Sequence, residues 1–446
     1  MITARAFAGK HYAVLGLARS GLATVEALIA SGAKVTAWDD KLLPGEGRDP
    51  GQREPLLRTG LGPGLRRGAE IEDFVDSDLT QFDSIVVTPG LPLNRHPIAS
   101  RAREAGVEII GDIELFARAR AELPLHKVVG ITGTNGKSTT TALVHHILQT
   151  AGVPSLMGGN IGLPILSRDP LPEGGVYVLE LSSYQIDLTK TLDCDVAVLL
   201  NITPDHLDRY ESFDAYAASK YRLFEMQRGG LAIALAKPLF EFGTLDGPGT
   251  IALIDDVLDH KFPQLLDRRQ FLALQGPHNH DNMLAAIETC AALGLVAEQI
   301  RNGLVTFAGL PHRMERIREL SGVAFVNDSK ATNTDAVTPA LAAFEKIRWI
   351  VGGRAKDNSL GGTERHLRRV VAAYTIGEAG PMFARLLRDA GVSVIECETL
   401  ENAVKRAAED SQAGETVLLS PASASFDQYR DFEARGDHFR LLVGAL

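Results

Sequence analysis

The stretch Val128-Val129-Gly130-Ile131-Thr132-Gly133-Thr134-Asn135-Gly136-Lys137-Ser138-Thr139 restricts the fold more than any other. An apolar run feeds a glycine-rich loop, and helix-spaced Leu143, Val144, Ile147 and Leu148 follow. A loop this rich in glycine turns backbone N–H groups inward at phosphate oxygens, and the helix beyond it adds the positive end of its dipole. Lys137 supplies a mobile charge, and Ser138 is placed to put its hydroxyl on Mg²⁺. The general pattern asks for Gly six residues before the Lys, where this chain has Ile131. A merely tight strand-helix turn is the bland alternative, and Gly-Lys-Ser at such a junction weighs against it. The loop predicts a parallel sheet whose strands end at a nucleotide.

Magnesium held against phosphate needs oxygen ligands, which in such sheets sit at the C-terminal ends of neighbouring strands. Glu180 follows the run Val176 to Leu179, and His206 follows Val196 to Leu200. Each alone reads equally well as an ordinary strand-end or turn residue; sharing a block with the phosphate loop makes both candidates.

A second glycine turn lies near the N-terminus: Tyr12 to Leu15, then Gly16-Leu17-Ala18-Arg19-Ser20-Gly21, a helical pattern through Leu28, and the run Val35 to Trp38 ending at Asp39 and Asp40. That is the order of a nucleotide-binding βαβ unit, with Ala18 in place of the middle glycine and Asp39 spaced to meet a ribose. A dinucleotide redox site, a site for another nucleotide's phosphates and a plain turn all fit these residues.

The 446 residues allow about three domains at roughly 150 each. Short apolar runs alternate with helical patterns throughout, which predicts parallel sheets in three blocks meeting near Leu123-Pro124 and Leu310-Pro311. In the third block the expected strands are Val323 to Val326, Trp349 to Val351, Tyr374 to Ile376 and Val417 to Leu419. The stretch 43 to 67 reads only as loop and helix, and 229 to 272 carries strand-like pieces without a usable motif. A net charge of −10 argues against nucleic acid, so positive potential for an anionic ligand must be built locally. No apolar run approaches the ~18 residues of a membrane helix, and the first ten residues lack a signal-peptide segment, so a cytoplasmic location with no membrane is expected. Cys194, Cys290 and Cys397 are too scattered for a disulfide framework and read as buried small hydrophobes.

Gly130 to Thr139, Gly159-Asn-Ile-Gly162, Glu180-Leu-Ser-Ser-Tyr-Gln185, Asp205-His-Leu-Asp-Arg-Tyr210, Gly276-Pro-His-Asn-His-Asp-Asn282 and Gly309-Leu-Pro-His-Arg313 together resemble the Mur ligases in content, order and spacing. Within that family, Asn327-Asp-Ser-Lys-Ala-Thr-Asn333 and Ser420-Pro-Ala-Ser-Ala-Ser-Phe-Asp-Gln428 look like the member that adds D-glutamate. The resemblance implies an α/β chain of three domains: a Rossmann-like UDP-sugar domain over 1–123, a P-loop ATPase-like domain over 124–310, and a C-terminal Rossmann-like amino-acid domain over 311–446. It implies that Arg19, Ser20, Asp39, Gly90, Asn160 and His206 serve UDP-N-acetylmuramoyl-L-alanine. Gly133, Thr134, Asn135, Gly136, Lys137, Ser138 and Thr139, with Asn282, Arg313 and Asp328, would serve ATP. Ser138, Glu180, His206 and Lys220 would hold magnesium, two ions in all, with Lys220 carbamylated by CO₂. Lys137, His206 and Lys220 would carry catalysis, and Lys330, Thr332, Lys356, Ser425 and Phe432 would hold D-glutamate. The implied setting is a monomer making peptidoglycan precursor, hence wall growth, cell shape and cell division. Asp357-Asn358-Ser359 after Lys356 departs from the family's usual continuation, and 43–80 and 229–272 match none of its motifs.

The implied chemistry is amide formation from a carboxylate and an amine, which needs a better leaving group than oxide. The γ-phosphoryl of ATP supplies it by making an acyl phosphate that the amine attacks. Rivals are another amide ligase of the family, a folylpolyglutamate-type ligase, an NAD-dependent oxidoreductase using Gly16 to Asp39, and a non-enzymatic nucleotide switch. The phosphate loop is superfluous to a dehydrogenase, and Glu180, His206 and Lys220 are superfluous to a switch.

Overall fold

Burial explains the strands. Val128 and Val129, Val176 to Leu179, and Val196 to Leu199 are covered on both faces, the pattern of parallel strands with helices on either side. The computed structural model describes residues 1–39, 68–205, 209–234, 250–253, 270–274, 277–355 and 358–446. The chain divides into two compact units, Met1–Pro263 with Leu284–Gly303, and Gln264–Met283 with Leu304–Leu446.

The first unit contains two parallel sheets. One takes β1 (His11–Leu15), β2 (Lys34–Trp38), β3 (Ala69–Ile71), β4 (Ser84–Val87) and β5 (Ile109–Ile110) in the order β3-β2-β1-β4-β5. Its order reverses at β1, beside the Gly16 turn, which is where such sheets open a crevice for ligands. The other sheet is built from β6 (His126–Thr132), β7 (Ser155–Gly159), β8 (Gly175–Glu180), β9 (Val196–Leu199), β10 (Leu231–Ala234) and β11 (Thr250–Leu253), ordered β11-β10-β9-β6-β8-β7. Here β6 lies between β9 and β8, with Ile131 in register with Glu180 and Thr132 with Leu199. The loop after β6 is therefore flanked by the ends of both neighbours. The unplaced strand-like pieces of 229–272 include β10 and β11; 40–67 and His206 lie outside the described residues.

The second unit holds β12 (Glu315–Leu320), β13 (Val323–Asn327), β14 (Ile347–Gly352), β15 (Val370–Ile376), β16 (Val394–Glu398) and β17 (Thr416–Leu419), ordered β12-β13-β17-β14-β15-β16. The expectation of a wholly parallel sheet fails here, because β12 pairs antiparallel with β13. A two-residue connection, Ser321-Gly322 with both residues at positive φ, permits only a hairpin. None of the β12 residues is fully buried, so its sequence lacks the continuous apolar run that flags a central strand. Register shifts mark both edges of this sheet, in β12 between Arg316 and Arg318 and in the β15–β16 pairing. Cys194, Cys290 and Cys397 are buried and unbridged, in line with their sequence reading. No helix of the described residues is long and apolar enough to cross a membrane.

Candidate active site

The helix Lys137–Thr150 begins directly after Gly136, which takes φ 84°. Gly133 takes φ 151°, and a Cβ there would lie 3.0 Å from the Leu200 side chain. Glycine is thus required where the loop passes under the next strand end. That strand end shapes the loop in turn: Thr134 N donates to Asn201 O (2.9 Å), Asn135 N to Asn201 Oδ1 (2.9 Å), and Thr203 N to Thr134 Oγ1 (3.0 Å).

Both lysines converge on this loop. Lys137 Nζ donates to Gly133 O (2.9 Å) and Thr134 O (2.7 Å), and Lys220 Nζ donates to the same Gly133 O (2.9 Å). Lys220 lies on the helix Phe213–Glu225, is 2% exposed, and has its ammonium 4.7 Å from the centre of the Tyr216 ring. Burial, and then the neighbouring Lys137 charge, push its pKa down to about 7. An amine that titrates there is largely uncharged in mildly alkaline solution and can act as a nucleophile.

Glu180 closes β8 and is buried. Asn160 Nδ2 donates to its Oε1 (2.9 Å), while its Oε2 is buried with no hydrogen-bond partner among the described residues. An orphaned carboxylate oxygen beside a phosphate loop suits a hard divalent cation. Asn160 is held by its own backbone, N to Glu180 O (2.8 Å), and Gly159 at φ 86° lets the two strands approach so closely that a Cβ would fall 2.2 Å from Glu180 O. Among the described residues no three His, Cys, Asp or Glu gather at one point; His206 is not among them.

In the N-terminal sheet, Gly16 takes φ 95° and Leu17 N donates to Asp39 Oδ2 (2.6 Å). Asp39 therefore fixes the glycine turn through one oxygen. Gly21 allows the helix Arg19–Ala30 to pack on the turn, since a Cβ there would lie 1.8 Å from Gly16 O. Ser20 and Arg19 open that helix, and Arg19 Nη2 reaches Gly162 O at 3.4 Å. Gly90 stands in the turn after β4, where Leu91 N donates to Thr88 O (3.0 Å).

The second unit gathers a different set. Asp328 follows β13 and is buried; Ser420 Oγ donates to its Oδ2 (2.7 Å) and Met314 N to its Oδ1 (3.1 Å). Burial pushes its pKa up to about 7 against those bonds and the Arg313 charge. Lys330 Nζ sits 5.8 Å from the Phe432 ring centre, and Ser425 is buried nearby in sequence to Ser423. Thr332 is half-buried, Asn282 is buried in the helix Pro277–Ala292 with its Nδ2 on Asn279 Oδ1 (3.2 Å), and Lys356 lies outside the described residues.

Sequence reasoning missed Arg435. It is 1% exposed and donates to Ser329 Oγ (3.0 Å), Ser329 O (2.9 Å) and Ser423 O (3.1 Å), tying the loops after β13 and β17 together. In the sequence it is one arginine on a helix, with nothing to mark its face as buried.

Comparison with known proteins agrees across the chain. Residues 10–111 match the Mur ligase MurD-like N-terminal domain, 131–241 the Mur ligase middle domain, and 312–423 the Mur ligase, glutamate ligase domain. A protein of Novosphingobium aromaticivorans is 53% identical over all of this chain and 97% of its own, and one of Sphingopyxis alaskensis is 54% identical over all of both. Each is named UDP-N-acetylmuramoylalanine--D-glutamate ligase. Among solved structures, a UDP-N-acetylmuramate-alanine ligase of Thermotoga maritima covers 98% of this chain and 99% of its own at 17% identity and a TM-score of 0.55, a likeness of fold alone. A phosphate loop built against the next strand end, three matched domains and full-length relatives lead to one conclusion: the chain belongs to the Mur ligase family.

Proposed function

We propose that this chain joins D-glutamate to UDP-N-acetylmuramoyl-L-alanine at the expense of ATP, giving ADP and phosphate in peptidoglycan precursor synthesis. The observation that carries the reading is full-length identity of 52–54% to relatives that bear this activity in their names. The site chemistry is in keeping with it. Domain limits of 1–123, 124–310 and 311–446 go with this proposal.

In this reading Gly133 to Thr139 cradle the ATP phosphates, and Lys137 exchanges its loop carbonyls for phosphoryl oxygens as charge grows there. Ser138, Glu180, His206 and Lys220 as its carbamate would hold magnesium, which supplies charge neutralisation when bound; the orphaned Glu180 oxygen favours this assignment. The γ-phosphoryl passes to the alanine carboxylate, the D-glutamate amine attacks the acyl phosphate, and phosphate leaves. Arg19, Ser20, Asp39, Gly90, Asn160 and His206 receive the UDP sugar, and Asn282, Arg313 and Asp328 the rest of ATP. D-Glutamate carries two carboxylates, so its pocket needs donors: Lys330, Thr332, Lys356 and Ser425 offer them, beside Phe432. The test is phosphate release from ATP and UDP-N-acetylmuramoyl-L-alanine on adding D-glutamate, L-glutamate, L-lysine or D-alanyl-D-alanine in turn. Preference for any but D-glutamate overturns the reading.

A further inference from the structure

Two successive carbonyls of the Gly90 turn are held from the neighbouring domain of the same unit. Arg209 Nη2 donates to Gly90 O (2.8 Å) and its Nη1 to Leu91 O (2.9 Å), while the guanidinium carbon sits 4.8 Å from the centre of the Tyr184 ring. Tyr184 stacks in turn on Tyr210, with ring centres 6.1 Å apart and planes 12° from parallel. Tyr210 OH donates to Asp187 Oδ2 (2.8 Å), and Ser219 Oγ donates to Asp187 Oδ1 (2.7 Å). Asp187 ends the helix Ser183–Asp187; Ser219 immediately precedes Lys220 on its helix. On its other side the turn carries Thr88, whose hydroxyl fills the space that the missing Gly16 Cβ leaves, 2.3 Å from where that carbon would stand.

One continuous set of contacts thus runs from the first glycine turn, through Thr88, Gly90 and Leu91, to Arg209, the tyrosine stack, Asp187 and the Lys220 helix. We propose that Arg209 is a positioning residue for the UDP-sugar site: its two-donor fork holds the Gly90–Leu91 turn at a fixed place against the domain that binds ATP. The proposal rests on the reading above that Gly90 serves the nucleotide sugar. Arginine is the residue this task requires. Two successive carbonyls need two donors in a rigid fork, and the flat face must also lie on an aromatic ring. Lysine offers a point charge without the plane. An ordinary surface arginine has no reason to satisfy three such partners at once, since ordering its side chain costs entropy.

The experiment uses the full chain. Binding of UDP-N-acetylmuramoyl-L-alanine is titrated by calorimetry, and KM for it, for ATP and for D-glutamate is measured by phosphate release, in wild type, Arg209→Met, Arg209→Lys and Tyr184→Leu. In Arg209→Met, affinity and KM for the UDP sugar weaken on the order of tenfold or more while the other KM values stay within about twofold, as expected for losing two charge-assisted bonds on one side of the site. Arg209→Lys recovers only part of the loss, and Tyr184→Leu weakens the UDP sugar in the same sense by less. ADP binding and melting temperature stay at wild-type values. Unchanged UDP-sugar binding in Arg209→Met overturns the inference, as does an equal rise in all three KM values with a lowered melting temperature. Wild type that binds the UDP sugar but rejects D-glutamate overturns the proposed function and leaves the Arg209 titration readable; wild type that does not bind the UDP sugar overturns both.

Discussion

Removing Lys220 separates a buried structural lysine from a carbamate. With its pKa pushed down to about 7 by burial and Lys137, about nine-tenths of the amine is neutral at pH 8, against roughly 0.3% for the ordinary value of 10.5. At pH 8 the site therefore raises the fraction able to attack CO₂ about 300-fold, although that neutral fraction itself falls as pH drops below 7 and the folded-state amine takes up its proton. The carbamate keeps one N–H, so the bond to Gly133 O can persist while the new carboxylate gives Lys137 an opposite charge in place of a like one. Enzyme freed of CO₂ and assayed by phosphate release should be slow and should recover on adding bicarbonate, more fully at pH 8 than at pH 6. Lys220→Ala should fold, lose on the order of 10³ in turnover at every pH, and regain part of it with short carboxylic acids. Wild-type turnover in Lys220→Ala, or indifference of the CO₂-free enzyme to bicarbonate, would refute the argument.

Glu180→Gln keeps the Asn160 contact but removes the charge, so the magnesium concentration for half-maximal activity should rise at least about tenfold with melting unchanged; an unaltered magnesium titration counts against the ligand role. Gly159→Ala puts a Cβ 2.2 Å from Glu180 O at φ 86°, which should cost about 2 kcal/mol or more in urea unfolding. Asp328 holds its proton up to about 7 in the folded chain and 3.8 in the unfolded one, so its contribution to stability is full below 3.8 and lost as pH rises to about 7. Asp328→Asn should flatten the fall of stability over that window relative to wild type, as measured by urea unfolding at several pH values. Lys356→Ala should weaken D-glutamate use by tens to hundreds of fold at ~1.5 to 3 kcal/mol per charge-assisted bond, with ATP affinity unchanged in a binding titration.

The residues legible in the sequence share one property: their chemistry is local. Gly133 and Gly136 announce themselves because only glycine takes those φ values, and Glu180 because an acid follows an apolar run. What was illegible is long-range. That Glu180 leaves an oxygen orphaned depends on Asn160, twenty residues earlier and just past the end of β7, and that Lys220 is buried depends on a carbonyl 87 residues away. A helix pattern gives no sign that one of its lysines is a core residue. β12 escaped for a different reason, since this edge strand, partly open to water, is mostly charged, with Ile317 and Leu320 as its only apolar residues, and has no continuous apolar run.

That edge has a bearing on how the protein behaves in crowded solution. A sheet that ended on β13 would offer a row of unpaired backbone groups to a passing strand of another chain. Instead β12 caps it with Arg316 and Glu319 paired on the outer side, an irregular register, and Arg318 drawn to the carbonyls of Val443 and Gly444. The opposite edge, β16, displays Glu396 and Glu398 and is likewise out of step with its neighbour. Charge and misregister at both ends make strand addition unfavourable, so this sheet is protected from templating aggregates while the chain is being made at high local concentration.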